Sequence, residues 1–320
     1  MKSCEPVLEF LRASRESFVS GEEISRKLKV SRATVWKDIQ RLRELDYEIE
    51  AQPHLGYRLL SVPDRLYADE IRSGLKTRVV GRELFCYDEL DSTNDTAFLL
   101  GEKGVKEGAC IFTEHQKKGR GRLGRSWSSP KGKNILMSVL LRPDIAPSQV
   151  SKITLTTAVA VIRAMKAFVE APLGIKWPND ILSGKKKVCG ILTEMSAETD
   201  RVKFIVLGIG INVNASASEL PPNSVSLKEL GRHAIARHEF AKKILQELDD
   251  AYALVKKGDF DKIAKEWEDF SVTSGQRVAV NMRGRRVEGQ AVGIDPDGCL
   301  WIRTDDGLQE RVLSGDVERA

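Results

Sequence analysis

The sequence predicts an α+β protein with three regions of different texture. Residues 1–62 combine helical hydrophobic spacing with a β-like end, and residues 65–270 mix strand and helix patterns. Residues 271–320 alternate apolar and polar side chains in short runs, as β-strands do. The motif SVPD at 61–64 is a candidate linker, because proline interrupts regular structure. We therefore predict three domains over these three ranges.

Composition limits the class of protein without deciding its function. The 320 residues are 41% hydrophobic and 30% charged, which is typical of globular chains. The net charge of +5 (51 basic minus 46 acidic residues) permits a nucleic-acid or polyphosphate partner but does not require one. No apolar run is long enough for a signal peptide or a membrane span, so we expect a cytoplasmic protein with no membrane partner.

Cysteine and histidine give no sign of a disulfide framework or a metal site. The cysteines are odd in number and lack C-x-x-C spacing, which predicts buried, reduced thiols. The four histidines are scattered, so we predict no metal bound by the protein itself. The five cysteines are Cys4, Cys86, Cys110, Cys189 and Cys299.

Residues 21–51 predict two short helices joined by a turn. Ile24 and Leu28 have the i, i+4 spacing of one helix face, and Ser31 is a good N-cap for a second helix. The apolar side chains of the second helix, which would face the core, repeat at i, i+4 and i+7: Val35, Ile39 and Leu42.

The opposite face of the second helix carries side chains of the kind that a DNA major groove accepts. These side chains are Ser31, Arg32, Thr34, Trp36, Lys37, Gln40 and Arg41. The runs YEIEAQ, PHLG and YRLLS then read as strand, turn and strand, the outline of a wing. The stretch resembles the winged helix-turn-helix of bacterial repressors. An amphipathic hairpin used for protein contacts is the alternative, and Trp36 could touch DNA or pack at the rim of the core.

The motif LDSTN at 90–94 places three small polar side chains directly after a strand-like run. Ser92, Thr93 and Asn94 can each orient a small polar ligand, and they can instead cap a helix. The motif alone leaves both interpretations open.

The stretch GRGRLGRSW at 119–127 runs between two strand-like segments, IFTEHQ and NILMSVLL. Glycine N–H groups approach anions closely, and arginines add charge-assisted hydrogen bonds. A disordered arginine–glycine tail that binds nucleic acid is the alternative, but such tails are repetitive and this stretch occurs once. We therefore predict a loop over an anionic ligand, with Trp127 as an apolar anchor for the loop or the ligand.

The stretch KWPNDILSGKKKV at 176–188 predicts two antiparallel strands joined by a tight turn. We expect residues 176–180 to end the first strand. Asp180 and Lys187 then lie close, because the turn between them is only six residues long. A lysine held beside a carboxylate is well placed to hold a carboxylate and a phosphate together. Lys185 and Lys186 are expected to be solvated.

The run FIVLGIGINVN at 204–214 predicts a buried strand that ends in glycines. Such glycines either let a ligand or backbone approach closely or form a simple turn. GIGIN lacks the third glycine of a dinucleotide fingerprint, which excludes a Rossmann site. At the C-terminus, QRVAVNM, RRVEGQAVGI, GCLWIRT and LQERVLS are separated by the turns RG, DPDG and DDG, which predicts a small β-barrel.

Taken in order, LDSTN, Q-x-x-GRGRLGRSW, KWPNDI, K-V-CGIL-x-E and GIGIN-x-N resemble the motifs of the biotin–protein ligases. The N-terminal and C-terminal regions match the bifunctional bacterial type, which is both biotin ligase and biotin-operon repressor. The resemblance implies a winged helix-turn-helix DNA-binding domain at 1–62, a class II synthetase-like mixed α/β ligase domain at 65–270 and an SH3-like β domain at 271–320.

The resemblance also implies an activity and its partners. Such a ligase joins biotin and ATP, used with Mg²⁺, into biotinyl-5′-AMP, and then transfers biotin to a lysine of a biotin carboxyl carrier protein. The reaction needs cations and backbone donors to bring two anions together, and no side-chain nucleophile. The implied partners are the apo acceptor, operator DNA and a second copy of the chain, in a homodimer that biotinyl-AMP favours.

The site residues implied by the resemblance form three overlapping groups. The catalytic group is Lys187, Arg122 and Asp180. The biotin-binding group is Ser92, Thr93, Asn94, Gln116, Arg120, Gly121, Arg122 and Lys187. The nucleotide-binding group is Arg120, Arg122, Trp127, Lys187 and Asn212. The loop departs from the family at Leu123, where relatives often carry another basic residue.

Three other functions are compatible with parts of the sequence. The first is a ligase whose N-terminal domain only stabilises it, and the second is a biotin-sensing transcription factor without catalysis. The third is a lipoate ligase, which shares the fold. The exposed basic residues of the second helix disfavour the first, intact Lys187 and GRGR disfavour the second, and the arginine-rich loop disfavours the third by resemblance.

Overall fold

The structure is a computed structural model that describes residues 5–14, 17–282 and 285–319. The chain divides into two compact units, residues 1–65 and 66–320. The predicted limits of the three domains remain predictions, and both Cys4 and the RG turn at 283–284 lie outside the described residues. No helix in the described ranges is both long and apolar enough to cross a membrane.

Where the structure describes it, the first unit consists of three α-helices and a two-stranded antiparallel hairpin. Its elements are α1 Glu5–Ala13, α2 Gly21–Leu28, α3 Arg32–Glu44, β1 Glu48–Gln52 and β2 Gly56–Ser61. Ser31 caps α3 by accepting a hydrogen bond from the Thr34 N–H at 3.1 Å, as the sequence predicts. The apolar side chains predicted to face inward are buried: Ile24, Val35, Ile39 and Leu42.

The hairpin that follows α3 is held to the segment before α2. Val19 and Tyr57 exchange two backbone hydrogen bonds, each 2.9 Å long. Gly56 lies at this crossing with a φ of +110°, and a Cβ there would come within 2.1 Å of the Val19 carbonyl oxygen. Only glycine fits, so this one residue lets the wing-like hairpin close onto the rest of the unit.

In its described residues, the second unit contains a seven-stranded sheet, a five-stranded sheet, six α-helices and three short 3-10 turns. The strands of the larger sheet are β3 Leu84–Tyr87, β4 Cys110–Thr113, β5 Ile135–Leu141, β6 Leu173–Lys176, β7 Asp180–Ser183, β8 Lys186–Ala197 and β9 Val202–Ile211. The smaller sheet has β10 Arg277–Met282, β11 Arg285–Ile294, β12 Leu300–Arg303, β13 Gln309–Val312 and β14 Asp316–Arg319. The helices are α4 Ala68–Arg72, α5 Thr93–Glu102, α6 Val150–Lys166, α7 Leu227–Gly231, α8 Arg237–Lys256 and α9 Phe260–Phe270.

The larger sheet is covered on both faces. Its strand order is β3-β4-β5-β9-β8-β7-β6, with β3 and β4 parallel and every other pair antiparallel. Alternate residues of β5 belong to two different apolar clusters, because successive side chains of a strand point to opposite faces. Ile135, Met137 and Val139 join the cluster of α6, α8 and α9, whereas Leu140 joins that of α5.

The smaller sheet is antiparallel throughout, with the order β13-β12-β11-β10-β14. It corresponds to the strand-patterned C-terminal region of the sequence. Together with the helical first unit and the mixed larger sheet, it confirms the predicted α+β class.

The four described cysteines are free thiols. Cys110, Cys189 and Cys299 are buried, as predicted, and Cys86 is half-buried. Burial raises the pKa of the Cys86 thiol to about 12 and also raises the pKa of the Cys110 and Cys189 thiols. These thiols stay protonated near neutral pH and are poor nucleophiles.

A buried ion pair joins the beginning of α8 to the end of β4. The Arg237 guanidinium lies 2.6 Å from the Glu114 carboxylate, and both side chains are almost fully buried. Glu114 also accepts the Leu66 N–H at 2.8 Å, and Arg237 donates to the Asn134 carbonyl oxygen at 3.2 Å. One pair therefore fixes the first residue of the unit, a helix start and two strand ends.

Replacing Arg237 with methionine should destabilise the second unit by about 3–5 kcal/mol, because a buried carboxylate is then left without its cation. Urea unfolding of the full chain, followed by circular dichroism, measures the loss. Lys262→Met is the matched control, because Lys262 and Asp259 form an exposed pair at 2.8 Å. Equal midpoints for the two variants would contradict this assignment.

Candidate functional site

A cavity opens in the second unit where the start of α5, the loop at 116–127, strands β7–β9 and strand β14 meet. The first three elements carry motifs that the sequence analysis singles out. The cavity is therefore built by tertiary contacts among segments more than 200 residues apart along the chain, a span given by α5 and β14.

Polar side chains of LDSTN and Gln116 form one end of the cavity. Ser92 is the N-cap of α5 and accepts the Asp95 N–H at 3.4 Å, so the capping role and the cavity position occur together. Thr93 donates to Gln116 Oε1 through its N–H at 2.8 Å and through its hydroxyl at 3.0 Å. We call the four side chains at this end the polar floor: Ser92, Thr93, Asn94 and Gln116.

Ser138 supports the polar floor from β5, and sequence reasoning missed it. Its hydroxyl lies 2.8 Å from Thr93 Oγ1 and 2.6 Å from Asn94 Oδ1. The Asn94 amide occupies a gap in the sheet at Gly208, where a Cβ would come within 2.3 Å of Asn94 Oδ1. A serine in an otherwise apolar, buried strand was the only sequence signal for this contact.

The arginine-rich segment is an ordered loop over the cavity. The Gly121 backbone N–H donates to the Arg125 carbonyl oxygen at 2.7 Å, and the Trp127 backbone N–H donates to the Gly119 carbonyl oxygen at 2.8 Å. Leu123, at the tip, has a φ of +54° and is 68% exposed. The stem of the loop is tied to residues 88–91 by three exposed ion pairs: Lys131–Asp88, Lys117–Glu89 and Lys118–Asp91.

The two loop arginines of the predicted site have different partners. Arg120 pairs with Asp95 at 2.5 Å and with Glu194 at 3.1 Å. Arg122 donates to Asn179 Oδ1 at 3.1 Å and to the Gly315 carbonyl oxygen at 3.3 Å. Burial lowers the pKa of Arg122, although nearby carboxylates oppose this, and an arginine remains charged at neutral pH.

Lys187 and Asp180 form an ion pair of 2.8 Å at the centre of the cavity. Their proximity agrees with the sequence prediction, but the expected strand assignment was wrong. Asp180 begins β7 and lies opposite Lys176 of β6, because the chain already turns at 177–179. Lys187 then reaches Asp180 across the β7–β8 hairpin, which contains a bulge.

The Lys187 ammonium lies 5.5 Å from the centre of the Trp127 ring. Both side chains lie over Gly190, where a Cβ would come within 3.1 Å of Lys187 Nζ and 2.8 Å of the indole. Gly210 provides the same space on the next strand, with a distance of 2.5 Å between its notional Cβ and the Trp127 ring. The glycines of β9 therefore lie inside the strand, whereas the sequence predicted that they end it. They leave space for side chains of the protein itself.

Asn212 does not line the cavity. It is buried behind β8, where its amide donates to the Lys187 carbonyl oxygen at 3.3 Å and its oxygen accepts from Asn134 at 3.4 Å. It lies close in sequence to the motif glycines, but its side chain supports the backbone of Lys187. The structure therefore places Asn212 against the backbone of Lys187, another predicted nucleotide ligand, and its role at the nucleotide stays a prediction.

The C-terminal sheet completes the cavity, which the sequence analysis did not assign to it. Asp316, Val317 and Glu318 line the cavity from β14. Arg125 forms a short ion pair with Asp316, next to the contact of Arg122 with the Gly315 carbonyl. The last strand of the chain and the arginine loop thus hold each other in place.

The predicted DNA-binding side chains lie on α3 of the first unit. Trp36 is 55% exposed and does not pack in the core. Four of the other side chains are exposed, namely Ser31, Arg32, Thr34 and Lys37, and two are half-buried, namely Gln40 and Arg41. The helix therefore presents one basic, polar face with a single large aromatic ring.

Comparisons with known proteins agree with the order of these elements. Residues 5–58 match an HTH domain, residues 87–212 match the Biotin/lipoate A/B protein ligase family, and residues 273–319 match the Biotin protein ligase C terminal domain. The chain is 39% identical to the bifunctional ligase/repressor BirA of Bacillus spizizenii, over 98% of this chain and 97% of that protein. The chain belongs to the family of bifunctional biotin ligase/repressors.

Two further relatives share less sequence identity with the chain. The bifunctional ligase/repressor BirA of Escherichia coli is 29% identical over 94% of this chain and 92% of that protein. The biotin protein ligase from Aquifex aeolicus, solved in complex with biotin and ATP, superposes with a TM-score of 0.65. That structure is 29% identical and covers 75% of this chain and 100% of its own.

Replacing Gly208 with alanine should displace the Asn94 amide, because the new methyl group occupies its position. We expect a loss of about 1–3 kcal/mol in the free energy of unfolding, the usual cost of overpacking. A double-mutant cycle with Asn94→Ala, measured by urea unfolding, tests the contact: the double variant should lose less stability than the sum of the single variants. Strict additivity would show that the two residues do not compete for this space.

Proposed function

We propose that this chain is an ATP-dependent biotin–protein ligase that also represses biotin-synthesis genes. It forms biotinyl-5′-AMP and transfers biotin to a lysine of a biotin carboxyl carrier protein. The observation that carries the proposal is the pairing of Lys187 with Asp180 at 2.8 Å between a polar floor and an arginine loop. This arrangement occurs in a chain that belongs to the bifunctional ligase/repressor family.

The polar floor suits the head group of biotin. A ureido ring offers one carbonyl acceptor and two N–H donors, and the floor combines hydroxyl and amide groups that can supply both kinds of partner. The loop residues Arg120, Gly121 and Arg122 cover the ligand from the other side. The carboxylate tail would then extend toward Lys187, the cation at the centre of the cavity.

Adenylation requires two anions to meet. A carboxylate oxygen of biotin attacks the α-phosphorus of ATP, the bond to the β-phosphate oxygen breaks, and pyrophosphate leaves. Lys187 and Arg122 offset the repulsion and stabilise the charge of the transition state, while Asp180 orients the lysine. In the second step the acceptor amine attacks the carbonyl carbon of the mixed anhydride, AMP leaves, and the amine loses a proton near the Asp180 carboxylate.

The nucleotide would lie between Trp127 and the arginines. The indole offers an apolar surface for adenine, and Arg120, Arg122 and Lys187 surround the phosphate position. Among the described residues, no group of three or more His, Cys, Asp or Glu side chains could hold a metal ion. Asp180 in the cavity suits the usual mode of Mg²⁺, in which one or two carboxylates and the ATP phosphates share the ion, and the bound ion neutralises phosphate charge.

The repressor function belongs to the first unit. Arg32 and Lys37 on α3 would provide phosphate contacts, and Thr34 and Trp36, both exposed, lie at opposite edges of the solvent-facing side of the helix and would be available for contacts in the groove. Two copies of the chain, in a homodimer that biotinyl-AMP favours, would place two such helices on two operator half-sites. The acceptor and the operator DNA imply a cytoplasmic location.

Replacing Lys187 with alanine should lower the rate of adenylate formation by about 10²–10³-fold, the usual cost of one preorganised electrostatic group. Pyrophosphate release from biotin and MgATP measures this step, and biotin transfer to an apo carrier domain measures the whole reaction. Lys186→Ala is the matched control, because Lys186 is the exposed preceding residue. If both variants formed adenylate at the wild-type rate, Lys187 would have no role in the chemistry.

The chain should retard DNA from upstream of the cell's own biotin-synthesis genes in a gel-shift assay, more strongly with biotin and ATP than without them. Lys37→Ala should weaken binding and reduce the slope of log K against log salt by about 1, because one phosphate contact is lost. Lys262→Ala, in the other unit, should leave the slope unchanged. Failure to retard the DNA under any condition would leave a ligase without repressor function.

A further inference from the structure

Glu194 links the polar floor to the arginine loop through a single oxygen atom. Its Oε2 accepts a hydrogen bond from Asn94 Nδ2 at 2.6 Å and another from Arg120 Nη2 at 3.1 Å. The side chain stands on β8 and is 30% exposed. Glu194 is the glutamate of the K-V-CGIL-x-E motif, to which the sequence assigned no role.

The floor side of this link is rigid. Asn94 is buried, and its amide is confined to the gap at Gly208 with Ser138 on the β5 side and Glu194 on the β8 side. The amide therefore bridges two strands across a third that lies between them. Through this bridge the position of the Glu194 carboxylate is fixed by the sheet itself.

The loop side of the link is more exposed to solvent, since the Arg120 side chain is 45% exposed. Arg120 has a second partner, Asp95, but that carboxylate is 53% exposed, so solvent screens the interaction. Glu194 is less exposed and is anchored by a buried amide. We therefore expect the pair with Glu194 to fix the distance between the Arg120 guanidinium and the polar floor.

We propose that Glu194 is a positioning residue for biotin binding, holding Arg120 and the polar floor at a fixed separation. The inference rests on the proposed ligase function, because it assigns biotin to the space between the loop and the floor. A floor and loop that are already in place bind the ligand without first being ordered, so the effect falls on affinity. The reacting groups Lys187 and Asp180 lie elsewhere in the cavity, and the chemical step is unaffected.

The variant Glu194→Gln keeps an oxygen for the Asn94 amide but removes the charge that holds Arg120. We expect about a fivefold rise in KM for biotin, since a partly exposed ion pair contributes modestly. The kcat for adenylate formation should stay within about twofold of wild type, and the urea unfolding midpoint should be unchanged. The KM for ATP should rise less than the KM for biotin, because Lys187 and Arg122 still border the phosphate position. Glu198→Gln is the matched control. Glu198 lies in the turn between β8 and β9, does not line the cavity, and pairs with Lys203 at 2.9 Å.

A double variant separates positioning from a general loss of structure. In the background of Arg120→Met, Glu194→Gln should cause no further rise in KM for biotin, because the partner is already absent. An unchanged KM for biotin in the single variant, or a further rise in KM when Glu194→Gln is added to Arg120→Met, would overturn the proposal. Wild-type chain that forms no adenylate from biotin and MgATP would instead refute the ligase function.

Discussion

The site depends on a patch of sheet that lacks side chains. Gly190 of β8 and Gly210 of β9 are cross-strand neighbours, and Gly208 lies two residues from Gly210 on the same face. Three side chains enter the space that these glycines leave: Trp127 from the loop, Asn94 from α5 and Lys187 from β8 itself. A methyl group at any of the three positions would press on one of them, so the backbone decides where the polar and cationic groups can lie.

Three cations of the cavity have partners among the described side chains and backbone groups. Lys187 faces Asp180, Arg120 faces two carboxylates, and Arg122 donates to an amide and a carbonyl oxygen. Paired cations are less costly to bury than lone ones and are already oriented when anions arrive. Biotin carboxylate and phosphate would thus enter a field whose donors need little rearrangement, which suits a reaction without a side-chain nucleophile.

Local features of this protein could be predicted from its sequence. The helix caps, the inward face of α3 and the closeness of Asp180 to Lys187 follow from short spacings along the chain. The wrong assignments had one cause, which is that strand boundaries depend on pairing partners. The turn at 177–179 and the glycines inside β9 could not be located without knowing which strands flank them, and the burial of Asn212 follows from the same pairing.

Contacts between segments that lie far apart along the chain could not be predicted from the sequence. Ser138, Glu194 and Gly315 lie outside the side-chain roles that the motifs suggest, and they reach the site only because the sheet order brings β5, β8 and β14 beside the loop. Their roles follow from hydrogen-bond geometry and not from residue type. The fold and the reaction could be predicted from the family resemblance. The side chains and backbone groups that hold the reacting groups in position are visible only in the structure.

In the proposed function, this one cavity brings biotin and ATP together as anions and retains their product. Incubating the full chain with biotin and MgATP, removing free ligands by rapid desalting and analysing the retained molecules by mass spectrometry tests it most directly. We expect biotinyl-5′-AMP bound to the chain, with an equal amount of pyrophosphate released. Recovery of biotin and ATP unreacted, with no pyrophosphate formed, would contradict it.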